Sequence, residues 1–190
     1  MWPRIVKALP EAIEANLSYD STVYVNAAIS DVRTTLVEAV LIVVVVIFLF
    51  LGSARSSIIP AVTVPLSLVG ALFLMYSLGF SINLLTLLAM VLAIGMVVDD
   101  AIVVVENVER NIHNGLAPLE ATKQAMTEVT GPIIAIALVL CAVFIPTTFI
   151  TGLSGQFYKQ FALTITISTI ISAINSLTLS PALSALLLQD

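Results

Sequence analysis

The chain has 190 residues and a formal net charge of −5; 59% of its residues are hydrophobic and only 10% are charged. An ordinary soluble domain carries about 25% charged residues, so this composition argues against a water-soluble fold. The few basic residues form no patch, which argues against a nucleic-acid partner. The sequence therefore predicts an all-α, polytopic transmembrane helix bundle that lies in the lipid bilayer.

Five apolar segments without Lys or Arg are long enough to cross a membrane, which takes a helix of about 20 residues. They cover residues 35–51, 58–78, 82–105, 133–150 and 161–187. The turn formers of the stretch 79–83, GFSIN, separate the second span from the third. Because only helices and closed barrels satisfy their backbone in hydrocarbon, we expect a helix even for the β-branched first span.

The segments between the spans suggest a division of the chain. Residues 1–30 are mixed in polarity and are expected to be the end of a domain outside the membrane, although they hold no signal-peptide core, so we expect a further segment upstream. Spans one to three then occupy 31–105 and spans four and five occupy 132–190. Residues 106–131 are an amphipathic connector, either an interfacial helix or a plain connecting one, starting at Pro118 and stopping at Gly131-Pro132. The basic residues near the span ends are slightly more numerous on the side of Arg55 and Arg110, so the positive-inside rule favours a cytoplasmic position for the loops that hold these two residues.

The best clue to function is a pair of adjacent acids, Asp99 and Asp100, inside the apolar run 84–105. A charge within hydrocarbon is costly, and acids placed there usually mark a proton or ion pathway. Neighbouring carboxylates repel each other, so the pair is expected to act as a coupled unit that takes up and releases protons. A helix that slides until Ala101 meets the interface would instead give the pair a merely structural role.

The helical periodicity of about 100° per residue directs the two acids toward different neighbours. This disfavours an intramembrane protease, whose catalytic carboxylates must face each other. Gly95, one turn before Asp99, leaves room for close helix packing or for water. Glu106 shares the face of Asp99 and is either the mouth of a proton path or a solvated boundary residue. No basic residue in the spans offers a counter-ion.

The stretch from Gly79 to Arg110, GFSINLLTLLAMVLAIGMVVDDAIVVVENVER, closely resembles the fourth-helix motif of resistance-nodulation-division (RND) efflux pumps of the hydrophobe/amphiphile branch. Tyr19-Asp20, the run 142–165 and the run 179–188, LSPALSALLL, extend the resemblance over nearly the whole chain. The chain would correspond to the second through sixth helices of a twelve-helix permease. Residues 1–30 would then be the end of a periplasmic porter-type domain, and residues 106–131 would be cytoplasmic.

The resemblance implies a multi-pass protein of the bacterial inner membrane that belongs to a proton-driven efflux antiporter for lipophilic or amphiphilic compounds. It implies a homotrimer with a periplasmic adaptor and an outer-membrane channel, no enzymatic activity, and no cofactor beyond the proton as coupling ion. Asp99 and Asp100 match the proton-relay aspartates, which in the family face a lysine of the other half of the permease. Because that half is absent from this chain, the alternative is a non-transporting membrane scaffold or an orphan fragment of a pump.

Overall fold

The computed structural model describes residues 21–188, and over that range the chain forms five long α-helices. They are α1 (Ser21–Leu51), α2 (Ala54–Ser77), α3 (Leu84–His113), α4 (Pro118–Thr147) and α5 (Leu153–Leu187). All five are long and apolar enough to cross a membrane. The predicted all-α bundle of five transmembrane helices is therefore confirmed, and the break at residues 79–83 falls between α2 and α3 as expected.

The connections between the helices are short, and glycine makes the tightest of them possible. Only Gly52 and Ser53 separate α1 from α2, and Gly52 has a φ of 62°. In the turn between α3 and α4, Gly115 has a φ of 95°. Residues with a side chain rarely adopt such angles, so these two positions favour glycine. Short turns of this kind place consecutive helices side by side in opposite directions.

The structure corrects the helix ends that were predicted around the amphipathic connector. Helix α3 does not end near Val105 but continues to His113, and α4 runs without a break from Pro118 through Gly131-Pro132 to Thr147. Pro118 does start the helix, as predicted, but Pro132 does not stop it. A proline inside a helix loses one backbone hydrogen bond. Here Val129 and Ile133 are buried against Val104 on both sides of the proline, and this packing outweighs the loss.

The other helices also begin earlier than predicted. The described residues begin at Ser21, which is already helical, so residues 21–30 belong to α1 although its span was predicted to begin at Thr35. Residues 1–20 lie outside the described residues. Helix α5 starts at Leu153 instead of Phe161. In both cases the added residues are polar or mixed, and hydropathy alone detects only the part of a helix that lies within hydrocarbon. The assignment of residues 1–30 to a porter-type domain and of residues 106–131 to the cytoplasm stays a prediction.

Helix α3 lies at the centre of the bundle. It contacts all four other helices, whereas α1 contacts only α2 and α3 among the described elements. About half of the apolar stretch of α3 is buried in the bundle, whereas very little of the apolar stretch of α1 is buried. The largest cluster of the core joins α1, α2 and α3 and has Ile47, Val64, Met90 and Ile94 among its buried side chains. A second cluster joins α2, α3, α4 and the end of α5.

Polar contacts fix the two ends of the bundle. At one end, the Asn83 side chain that caps α3 donates Nδ2–H to Gln160 Oε1 near the start of α5, at 2.7 Å. At the other end, Ser56 at the start of α2 donates to Glu109, and Arg110 pairs with Glu128 of α4 at 2.5 Å. Near the other end of α3, Val105 and Val108 share a cluster with Leu188 at the end of α5, so α3 and α5 run parallel.

Candidate functional site

The site is built around Asp100, which lies near the middle of α3, about 24 Å from its first residue at 1.5 Å per residue. The Ser172 hydroxyl of α5 donates a hydrogen bond to Asp100 Oδ2 at 2.7 Å. Ser172 is buried and Asp100 is half-buried, so the bond is largely enclosed between the two helices. An O–H···O distance of this length is typical of a well-formed hydrogen bond.

Asp99 lies on a different face of the same helix. Its side chain is exposed on the outside of the bundle, and it makes no hydrogen bond or salt bridge with the described residues. The separation follows from the rotation of about 100° between successive residues of a helix. The two carboxylates are thus adjacent in sequence, but one points into the bundle and the other away from it.

Asp99 belongs to a continuous exposed face that follows the whole of α3, here called the Asp99 face. Its members recur every three or four residues and are Leu84, Leu88, Leu92, Gly95, Asp99, Val103, Glu106 and Arg110. This spacing is the pattern by which one helix packs along another. From Leu84 to Val103 this face is apolar except for Asp99, and it has the form of a surface that another helix covers.

Gly95 and Glu106 both lie on this face, where the sequence placed them relative to Asp99. A Cβ added to Gly95 would meet nothing within 4 Å, so the glycine opens space on the outer side of α3. Glu106 is exposed, and no hydrogen bond joins it to the described residues. Close packing at Gly95 and a proton-path role for Glu106 stay predictions, because both residues lie on the side of α3 that the other described helices leave uncovered.

Several polar contacts of the bundle interior were not anticipated from the sequence. Besides Ser172, Asn175 of α5 donates Nδ2–H to Ser67 Oγ of α2 at 2.7 Å. Buried Ser56 contacts Glu109, so a second acid near the end of α3 is engaged inside the bundle while Glu106 faces outward. The available signal was the concentration of Ser and Thr in α5, which is unusual for a segment that must lie in hydrocarbon.

Comparison with known proteins gives the family. The model of the AcrB/AcrD/AcrF family matches residues 1–190, which is the whole chain. The chain belongs to this family. The resemblance to RND permeases noted from the 79–110 motif is thereby confirmed, and with five helices able to span a membrane the chain is a multi-pass protein of the inner membrane.

Curated relatives match nearly the full chain but extend far beyond it. The chain is 50% identical to the toluene efflux pump membrane transporter TtgE of Pseudomonas putida, over 95% of this chain and 17% of that protein. It is 46% identical to the solvent-resistant pump membrane transporter SrpB of Pseudomonas putida and 43% identical to the multidrug resistance protein MdtC of Pectobacterium carotovorum. The chain thus spans less than one fifth of the length of these relatives, covering 17% of SrpB and 18% of MdtC.

Proposed function

We propose that this chain forms part of a proton-driven efflux antiporter for lipophilic or amphiphilic compounds, with Asp99 and Asp100 as its intramembrane proton relay. The observation that carries the proposal is the position of the pair. Both carboxylates lie at the middle of the central helix, one bonded within the bundle and the other on an uncovered face. A purely structural acid would be expected near a helix end, where it can reach water.

The exposure of Asp99 indicates that a polar partner covers it. An acid facing lipid at the bilayer centre costs at least about 2.5 kcal/mol, so such residues usually face a bundle interior or a water-filled cavity. The predicted spans of this chain contain no Lys or Arg. We therefore assign the Asp99 face to contact with a helix of the other half of the permease, which supplies an intramembrane lysine.

A cation beside the aspartates converts proton binding into movement. Two opposite charges about 4 Å apart attract each other by about 4 kcal/mol at an effective dielectric constant of 20. When a proton binds a carboxylate oxygen, that attraction is lost and the two halves of the permease can shift; release of the proton restores it. A change of this size is sufficient to reverse the populations of two conformations. In this scheme Glu106 is the mouth of the proton path, and Gly95 gives the partner helix or water access to Asp99.

The relatives support the substrate class, since those proteins are named for toluene efflux, solvent resistance and multidrug resistance. Membership of the family supports the remaining partners that we propose, which are a homotrimeric permease, a periplasmic adaptor and an outer-membrane channel. The proton is the only coupling ion in this scheme, and no other cofactor is needed. A scaffold or orphan fragment without transport activity is the alternative.

The proposal is tested by placing this chain in TtgE in place of the matching segment, with which it is 50% identical. Cells that depend on the chimera are exposed to toluene, and the amount of permease in the membrane is measured by immunoblot. The substitutions Asp99→Asn and Asp100→Asn keep the side-chain volume but remove the titrating group, so each should abolish resistance at an unchanged membrane level. Asp31→Asn, on an exposed part of α1, is the matched control and should leave resistance intact.

Full resistance with Asp100→Asn would refute the relay assignment. A chimera that inserts normally but gives no resistance even with both aspartates in place would favour the non-transporting alternative.

A further inference from the structure

Every fourth residue along most of α5 carries a hydroxyl, and all of these side chains are buried. They are Thr164, Ser168, Ser172, Ser176, Ser180 and Ser184, none more than 2% exposed. Four residues advance a helix by about 6 Å and rotate it by about 40°. The six hydroxyls therefore form one continuous, slowly turning line on α5, about 30 Å long, here called the hydroxyl line.

Two hydroxyls of the line, and a third beside it, lack a partner. Ser168 Oγ, Thr169 Oγ1 and Ser180 Oγ are buried and have no hydrogen bond to the described residues. Three other hydroxyls of α5 do have a partner, because Thr164, Thr166 and Ser184 each donate a hydrogen bond to the backbone carbonyl four residues earlier. Buried polar groups are almost always satisfied by protein or by ordered water. Three unsatisfied hydroxyls in one helix thus point to a small ligand that both donates and accepts.

The unpartnered hydroxyls flank the contact with Asp100. Ser168 and Thr169 lie about one turn before Ser172, and Ser180 lies two turns after it, on the side where Ser56 contacts Glu109. Ser172, between them, donates to Asp100. The line therefore passes from one half of the membrane to the other with the aspartate at its middle.

We propose that the hydroxyl line binds a file of internal water molecules that reaches Asp100 from both ends of α5. Water suits the site because it supplies the donors and acceptors that serine and threonine hydroxyls need. The hydroxyls are neutral and enclosed by neighbouring helices, a setting that suits neither an ion nor a lipid chain.

The use of this water file for proton transfer rests on the proposed function, whereas its presence does not. A proton passes along the file when one O–H bond breaks and another forms on the next oxygen, so one proton enters for each that leaves. At Asp100 the carboxylate oxygen gains that proton, and its later release returns it to the next water. No redox step is involved.

The test uses the purified full chain in lipid nanodiscs and silver ions, which are small enough to follow a narrow file of water and react with thiols. Cys141 is the single cysteine, so Cys141→Ala gives a cysteine-free background. Ser168→Cys and Ser180→Cys are compared with Ile165→Cys, which is equally buried, and with Ile174→Cys, which is 55% exposed toward lipid. After exposure to silver, the remaining thiols are alkylated in detergent and counted by mass spectrometry.

A hydrated line predicts that silver reacts at positions 168 and 180 at least about tenfold faster than at 165 and 174, since thiols react through their ionised form in a polar environment. Equal rates at positions 165, 168 and 180 would overturn the proposal. As a measurement without substitutions, water-edited solid-state NMR should show faster polarisation transfer to Ser168 and Ser180 than to Ser67, which is buried but bonded to Asn175. Equal transfer would likewise refute it.

The outcome is separable from that of the transport assay. A dry line together with aspartate-dependent resistance would reject the water file and leave the relay standing. A hydrated line together with resistance that is unchanged by Asp100→Asn would support the water file and refute the relay assignment.

Discussion

The hydrogen bond between Ser172 and Asp100 is the contact on which the site depends, and a double-mutant cycle measures its strength. The cycle consists of Ser172→Ala, Asp100→Ala and the double variant, each compared with the unchanged chain. Removing Ser172 alone leaves the carboxylate without its donor, whereas removing it after Asp100→Ala deletes only an isolated hydroxyl. The difference between these two steps is the coupling energy.

The geometry sets the expected magnitude. At 2.7 Å between helices that both lie in the membrane, the bond should contribute between the average of about 0.6 kcal/mol and the maximum of about 1.7 kcal/mol found for hydrogen bonds between transmembrane helices. An ionised carboxylate would raise this to about 1.5–3 kcal/mol. Ser176→Ala is the matched control, because this serine is equally buried one turn further along α5 and no hydrogen bond joins it to Asp100.

The assay is reversible unfolding of the purified chain in mixed micelles with increasing dodecyl sulfate, followed by circular dichroism. We expect a coupling of about 1 kcal/mol for the Ser172 cycle and none for the same cycle built on Ser176. A Ser172 coupling below about 0.3 kcal/mol, the error of additivity, would show that the two side chains do not interact.

Three further outcomes are expected. Gly155→Ala should destabilise the chain by about 1–3 kcal/mol, because the new Cβ would lie 2.0 Å from the Ile150 carbonyl oxygen. Gly131→Ala is the control, because a Cβ at this position of α4 meets open space, and it should stabilise the chain by about 0.5–1 kcal/mol. Equal shifts of the unfolding temperature in the two variants would contradict this packing. Asn83→Ala, which removes the cap of α3, should cost about 1 kcal/mol in the same unfolding assay, and an unchanged midpoint would count against the cap. In intact cells, an impermeant maleimide should label Ser154→Cys but not Asn114→Cys, both in the Cys141→Ala background; labelling of Asn114→Cys would invert the proposed topology.

The number of helices followed directly from the sequence because hydrocarbon imposes length and apolarity on each span. Helix ends did not, because the polar extensions of α1, α3 and α5 carry no hydropathy signal. The prediction that a helix stops at Pro132 was wrong for a physical reason. Its effect on the backbone is local, whereas the packing of Val129 and Ile133 that holds the helix together depends on where α3 lies.

The candidate site was predictable in part. Two acids in an apolar run are visible in any sequence, and the helical rotation already separated their faces. That Ser172 is the partner of Asp100 could not be predicted, because the pairing depends on the parallel register of α3 and α5, which Asn83 and Gln160 help to fix. The exposure of the Asp99 face likewise emerges only once the positions of the other four helices are known.

The relay assignment is tested most directly by proton flux in proteoliposomes. The chimera of this chain with TtgE is reconstituted with a pH-sensitive dye inside, and an amphiphilic substrate is added under an imposed pH gradient. We expect substrate to accelerate proton movement in the unchanged chimera and to have no effect in the Asp99→Asn, Asp100→Asn double variant. We also expect no substrate-driven flux from this chain reconstituted alone, since its predicted spans contain no Lys or Arg that could pair with the aspartates. Substrate-driven proton movement that persists in the double variant would contradict the relay.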